Sequence, residues 1–318
     1  MHKKAWLLAI LLALTALAVE AQASTPRESF VEAYVATFKA AQAGGNVEPL
    51  VAKLNEALSL IKKAEAASDP EEAAKLNSEA LSILSQVVEE APKIAAEGEQ
   101  ARLIGNALLA VSIAALLASA YAAYRYGPSL FLKLWVKAKS KYRVKVVREE
   151  VKEGEEHGSM LLSEEVWAVV LAIIVVASVF AFSQAYLAGR VIEPFSELGV
   201  LGPHAKIADY PRRVVAGDAI KLYLYVGNHL GYPAYYKVLV KVGNQTTKIN
   251  PAPLKPIAEY EVVLNHNSTW LHPIQLTLTK PGEDQRVIFE LWIYNLTTHS
   301  FTYHKRWCQL WIDVIPPP

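Results

Sequence analysis

The sequence predicts an α+β multi-domain membrane protein. It has an extracytoplasmic helical bundle or hairpin, two transmembrane helices, and a C-terminal immunoglobulin-like β-sandwich of about seven strands. Three observations predict this. The apolar residues gather in three separate blocks, residues 25–100 carry helical periodicity, and after Gly189 the pattern changes to strict alternation. The boundaries that follow are a signal peptide over 1–23, an outer helical segment over 24–101, membrane helices over 102–124 and 166–188 joined by a loop over 125–165, and the β-domain over 189–318.

The first block runs from Ala5 to Val19 behind His2, Lys3 and Lys4, and ends in Ala21-Gln22-Ala23. A basic flank, a short apolar core and a small-x-small site are the marks of a secretory signal, with cleavage before Ser24. An uncleaved signal anchor is the alternative, and either one places the following segment outside the cytoplasm. The second block, residues 103–124, has 22 residues without a charge, and the third, residues 166–187, matches it in length. At 1.5 Å per residue each covers a hydrocarbon core of ~30 Å. Trp167 and Tyr186 lie near the ends of the third block, where amphipathic rings favour the interface.

Basic residues orient the two helices. The loop over 125–165 holds nine Lys and Arg in 41 residues, against seven in 78 for 24–101 and thirteen in 130 for 189–318. The loop is therefore expected in the cytoplasm and both larger segments outside.

In the outer segment, Thr25-Pro26-Arg27-Glu28 reads as a capping box with proline at the first helical position. Phe30, Tyr34 and Phe38, flanked by Val31 and Val35, form the first apolar stripe, and Gly44-Gly45-Asn46 breaks it. Leu50, Leu54, Leu58 and Ile61 form the second. After a stop at Ser68-Asp69-Pro70, residues Leu76, Ala80, Ile83, Leu84, Val87 and Val88 form the third. Helices with one apolar stripe each pack into a small bundle. Pro92 is expected to kink or restart the last helix, and Gly127-Pro128 to end the first membrane helix. The bundle reads as a ligand-sensing or oligomerising stalk, or as a spacer packed on its own β-domain.

In the loop, Lys133, Lys137, Lys141 and Lys145 recur every fourth residue, as in a basic amphipathic helix on the inner leaflet. Residues 141–146 also alternate as a strand would. The loop is too short for a kinase or DNA-binding domain, and the acidic run from Glu149 to Glu156 argues against nucleic acid.

In the β-domain, strands are expected over 220–226, 235–242, 246–249, 259–264, 274–279, 287–294 and 302–314, with Gly243-Asn244 turning a hairpin between the second and third. Cys308 shares a strand face with Leu310, Ile312 and Val314 and reads as a buried thiol, with intermolecular pairing as the alternative. Asn244, Asn267 and Asn295 open N-x-[ST] sequons and are candidate N-glycosylation acceptors. His229, His266, His272, His299 and His304 lack metal-ligand spacing and read as surface or loop residues.

Phe195-Ser196-Glu197-Leu198-Gly199-Val200-Leu201-Gly202-Pro203 follows a membrane helix directly. It leads to Tyr210-Pro211, Gly217-Asp218 and Val226-Gly227-Asn228-His229, with Trp270-Leu271-His272-Pro273 and Phe289-Glu290-Leu291-Trp292 further on. Over residues 165–315 this resembles an archaeal family of membrane proteins known as a domain of unknown function. Its pattern is a hydrophobic helix, an F-x-E-x-x-x-L-G entry and an immunoglobulin-like or adhesion-type sandwich. The resemblance implies an archaeal envelope location and no known enzymatic activity.

The sequence carries no G-x-S-x-G, H-E-x-x-H, Walker or G-x-G-x-x-G motif, and no His, Asp, Glu, Lys or Arg within the two apolar blocks. The expectation is a non-enzymatic cell-envelope protein, with no catalytic, cofactor or metal residues and no cofactor. It is integral to the membrane, has an S-layer protein, envelope protein or glycan as partner, has no nucleic-acid partner, and oligomerises through the helical segment. An accessory subunit of a secretion, glycan-assembly or transport complex is the second reading, and a ligand sensor the third.

Overall fold

A computed structural model describes residues 25–139, 164–187 and 193–318. The expected signal peptide, and the part of the central loop where helix and strand readings compete, lie outside the described residues. The chain forms two compact units. One joins the residues up to Gln100 with Val191–Pro318, and the other is Ala101–Arg190.

The first unit begins with helix α1, Pro26–Gln42. Its capping box forms as the sequence expects: the Glu28 amide donates to Thr25 Oγ1 at 3.3 Å, and the Thr25 amide donates to Glu28 Oε2 at 2.9 Å. Gly44, at φ 92°, ends the turn beyond α1 in the left-handed region that glycine adopts without strain. Helix α2, Glu48–Ala66, and the opening turns of α3, Pro70–Lys139, follow after short connections. Phe30, Tyr34, Leu50, Leu54, Ile61, Leu84 and Val87 share one core, so all three sequence stripes meet. Val31, Ile83 and Val88 are partly buried against it.

Pro92 does not restart this helix, and Gly127-Pro128 does not end it: α3 is one continuous helix from Pro70 to Lys139. Proline removes one amide donor and crowds one carbonyl, a local cost of about 3 kcal/mol. At Pro92 the burial of Ala91 and Val87 on the same helix outweighs it.

Among the described residues eight strands follow, where about seven are expected. They are β1 Phe195–Leu201, β2 Arg213–Val215, β3 Ala219–His229, β4 Ala234–Gly243, β5 Ala258–Leu264, β6 Ser268–Thr277, β7 Gly282–Asn295 and β8 Ser300–Ile315. The sequence reading missed β1 and β2. Ser196 puts a polar residue on the inward row of β1 and Phe195 and Leu201 put apolar ones on its outward row, and three residues of β2 are too few to show a period. The strand expected over 246–249 does not form. There Asn244 Oδ1 accepts from the Thr246 amide and from the Thr246 and Thr247 hydroxyls, so side chains satisfy the turn that a hairpin partner would have filled.

The strands make two sheets, ordered β1-β3-β6 and β2-β8-β7-β4-β5, with β2 alone pairing in parallel, on β8. Alternation along each strand sorts the side chains. Leu222, Leu224, Ile274 and Leu276 from the smaller sheet meet Val238, Val240, Val287, Phe289 and Ile312 from the larger in one core. Cys308 packs beside it, and burial pushes its thiol pKa up to about 12.

The opposite face of the larger sheet is also covered. Tyr235, Val263 and Tyr294 belong to the core of the helices, with Phe301 packed against it. Tyr235 stacks among Phe30, Tyr34, Tyr294 and Phe301 at centroid distances of 4.8–5.8 Å. The segment read as a separate helical domain is thus the third layer of a single body, matching the packed-spacer alternative.

In the second unit, α3 continues to Lys139 and α4 spans Glu164–Leu187. Among the described residues one helix, α3, is long and apolar enough to cross a membrane by length and composition, and Ala172–Ser183 is a shorter apolar stretch. Leu108, Val111, Leu117, Ile173, Val176 and Phe180 are all exposed.

Candidate functional site

A concavity of the first unit lies where α2 crosses the edges of the two sheets. It is a groove of about 730 Å³, within the roughly 300–1,000 Å³ of small-molecule sites. Its position follows from strand alternation. Trp270 and His272 continue the inward row of β6 beyond the buried Ile274 and Leu276, and Tyr260 extends the inward row of β5 beyond Val262 and Leu264. Past the end of the core these three rings line open space. The Trp270 and His272 rings stack at 4.6 Å and 14°, and Tyr260 tilts on His272 at 5.8 Å.

Helix α2 supplies the other wall through Asn55, Leu58, Ser59, Lys62 and Lys63. Spacings of three and four residues bring Asn55, Ser59 and Lys62 to one face. Asn55 fixes the helix on the sheet. Its Nδ2 donates to the Val263 carbonyl at 2.8 Å and its Oδ1 accepts from the Val263 amide at 2.9 Å. β5 is an edge of the larger sheet, so Asn55 stands where a neighbouring strand would pair.

Behind the groove sits a charge network. Glu261 is 9% exposed and accepts from Arg27 Nη1 at 2.6 Å, Lys237 Nζ at 2.9 Å and the Tyr235 hydroxyl at 2.9 Å. Burial pushes its carboxyl pKa upward, but Arg27, Lys237 and Lys62 outweigh burial and bring it down to about 2. Arg27 also grips Glu65, at 2.8 and 2.9 Å. Lys62 Nζ stands 4.0 Å from Glu261, and burial lowers its pKa. Burial and the charge of Lys62 lower the pKa of His272, which is neutral at pH 7.

A second polar chain crosses between the sheets. Ser196 Oγ lies 2.6 Å from the Tyr236 hydroxyl and 2.9 Å from His304 Nε2, and Tyr236 donates to Asn228 Oδ1 at 3.1 Å. Asn228 Nδ2 donates to the carbonyls of Tyr232, Leu264 and Asn265. Ser196 is 3% exposed and Asn228 fully buried, so this serine–histidine contact is closed to a substrate and ties strands together. His272 and His304 are therefore part-buried strand residues, not surface or loop residues. Alternation alone cannot tell an inward row that has left the core from an outward one.

The sequon asparagines do not meet. Asn244 and Asn267 are exposed in turns, Asn267 at φ 59°, and Asn295 ends β7 with its Oδ1 accepting from the Thr297 amide at 2.8 Å. Among the described residues no three His, Cys, Asp or Glu side chains converge as a metal ion would require.

Residues 190–313 match the model of a family described as a domain of unknown function, DUF1616. The match begins after the apolar helix and takes in all eight strands but the last residues of β8. No curated protein matches the chain. Among solved structures, the chain is similar to the CARDB domain of a Pyrococcus furiosus protein, solved with di-metal ions. That match has 14% identity and a TM-score of 0.27, and covers 38% of this chain and 89% of that one. It is also similar to a Listeria innocua β-glucosidase solved with glucose (12% identity, TM-score 0.23, 38% and 17% covered). Native α-2-macroglobulin from Escherichia coli is a third (14%, 0.24, 39% and 17%). The chain thus spans about a sixth of the length of the last two.

Proposed function

We propose that this is a non-enzymatic protein of the cell envelope, anchored by two membrane helices, whose outer body binds a partner through the groove between α2, β5 and β6. The observation that carries the reading is the groove itself. Aromatic and cationic side chains are held there by a packed three-layer body.

Anchoring is supported by the exposed apolar residues of the second unit. Leu108, Val111 and Leu117 on α3, and Ile173, Val176 and Phe180 on α4, would be unsustainable in water as one surface and are ordinary in lipid. The basic loop between the helices orients them with both ends of the chain outside. The signal sequence is read as cleaved, and the β-domain as an immunoglobulin-like sandwich.

Protease added to intact cells tests the topology. It should degrade the β-domain and spare residues 125–165, and the reverse pattern would sink the orientation. N-terminal sequencing of the mature protein should start at or near Ser24, whereas an intact Met1 would make the first block a third anchor. A photo-crosslinker at position 63, on the rim of the groove, should capture an envelope component in native membranes. Crosslinks confined to lipid or to other faces would remove the groove from the reading.

A further inference from the structure

The two walls of the groove differ in chemistry. The sheet wall is aromatic, built of Trp270, His272 and Tyr260. The helix wall is cationic, with Lys62 and Lys63. Neither cation is matched at close range. The carboxylate nearest Lys62 is Glu261, 4.0 Å away and already held by Arg27 and Lys237, and Lys63 is exposed with no ion pair among the described residues. A ligand that suits both walls carries a fixed negative charge on one side and a flat carbon–hydrogen face for an indole on the other.

Three further features narrow the class. Glu259 and Glu261 also line the groove, so a doubly charged phosphate meets more repulsion there than a singly charged carboxylate does. Asn55 occupies the β5 edge at Val263, which closes the nearest place where a peptide would add as a strand. The hydroxyl of Ser59, on the same face of α2 as Asn55 and Lys62, offers a donor and an acceptor suited to a sugar hydroxyl.

We propose that the groove binds a carboxylate-bearing saccharide, of the uronic-acid type, with a sugar ring against Trp270 and its carboxylate at Lys62 and Lys63. The proposal rests on the reading of this groove as the interaction site.

Calorimetric titration of the full-length protein in detergent tests it, using trigalacturonate, a neutral trisaccharide and inorganic phosphate as probes. Trigalacturonate should bind, and the neutral trisaccharide should bind roughly tenfold more weakly, the scale of one charge-assisted hydrogen bond. Lys62→Gln combined with Lys63→Gln should erase that preference. Trp270→Phe, which keeps an aromatic ring on the sheet wall, should weaken both saccharides while a cooperative melt shows that the variant is folded. Equal binding of the two saccharides, tighter binding of phosphate, or binding of none overturns the proposal. Crosslinks from position 63 to an envelope protein, without saccharide binding, would overturn the ligand class and leave the groove as the interaction site. Absence of both would overturn both.

Discussion

Glu261 sits where the sheet, two helices and the groove converge. It answers to Arg27 from α1, Lys62 from α2 and Tyr235 and Lys237 from β4. Its carboxyl titrates at about 2 when folded against an ordinary 4.5. The stability it contributes is therefore complete above about pH 4.5 and is lost as the pH falls toward 2. Glu261→Gln should lower the unfolding free energy by about 1–3 kcal/mol at neutral pH, because it removes the charge that Arg27 and Lys237 share while Glu65 and Glu259 still pair with them. It should also flatten the acid limb of the stability curve. Denaturant melts of both proteins at several pH values check this, and an acid limb unchanged by the substitution would show that other carboxylates dominate. The sequence shows Glu261 in a strand and no more. Its charge is legible, but its partners come from positions up to 234 residues away.

Among the elements, the α1–α2 turn and α3 approach closely. A Cβ added at Gly98 would stand 2.2 Å from the Gly45 amide nitrogen, and one at Gly45 would stand 2.5 Å from the Ile94 carbonyl oxygen. Helix propensity alone predicts that Gly98→Ala stabilises α3 by about 1 kcal/mol. The packing predicts the opposite sign, a loss of about 1–3 kcal/mol from overpacking, and thermal unfolding of the single variant decides between them.

A second element-level device holds the connection between β4 and β5. Lys241 Nζ donates to Glu290 Oε2 at 2.8 Å and to the Ala252 carbonyl at 2.7 Å, and the Ala252 amide donates to Glu290 Oε1. Glu290 is 0% exposed and Lys241 4%. Glu290→Ala should cost about 3–5 kcal/mol by stranding Lys241 without its counter-charge. Amide exchange should rise first around Ala252, before the flanking strands. The stripes of α1, α2 and α3 were readable because each helix repeats one apolar face. The Gly45–Gly98 approach and the loop over 244–257 were not, because neither has a period to betray it.

At the scale of the molecule, the helices are not a removable stalk. Tyr235, Val263 and Tyr294 are each no more than 8% exposed, and their side chains belong to the core built by α1, α2 and α3. A chain beginning at residue 193 should therefore expose an aromatic face, bind a hydrophobic dye and lose its cooperative melt. A truncated chain that melts as sharply as the whole body would show that the sheets stand alone.

The sequence by itself determined what depends on local periodicity and composition. That includes the capping box at Thr25, the three helical stripes, the apolar blocks, six of the strands and the inward row holding Cys308, since each is written in neighbouring residues. Only the tertiary structure decided that the larger sheet is covered on both faces, that α3 continues through Pro92, and that Trp270 and His272 emerge from the core opposite Lys62. Those outcomes depend on which surfaces meet across long stretches of chain, and burial at such a meeting outweighs a local preference of a few kcal/mol.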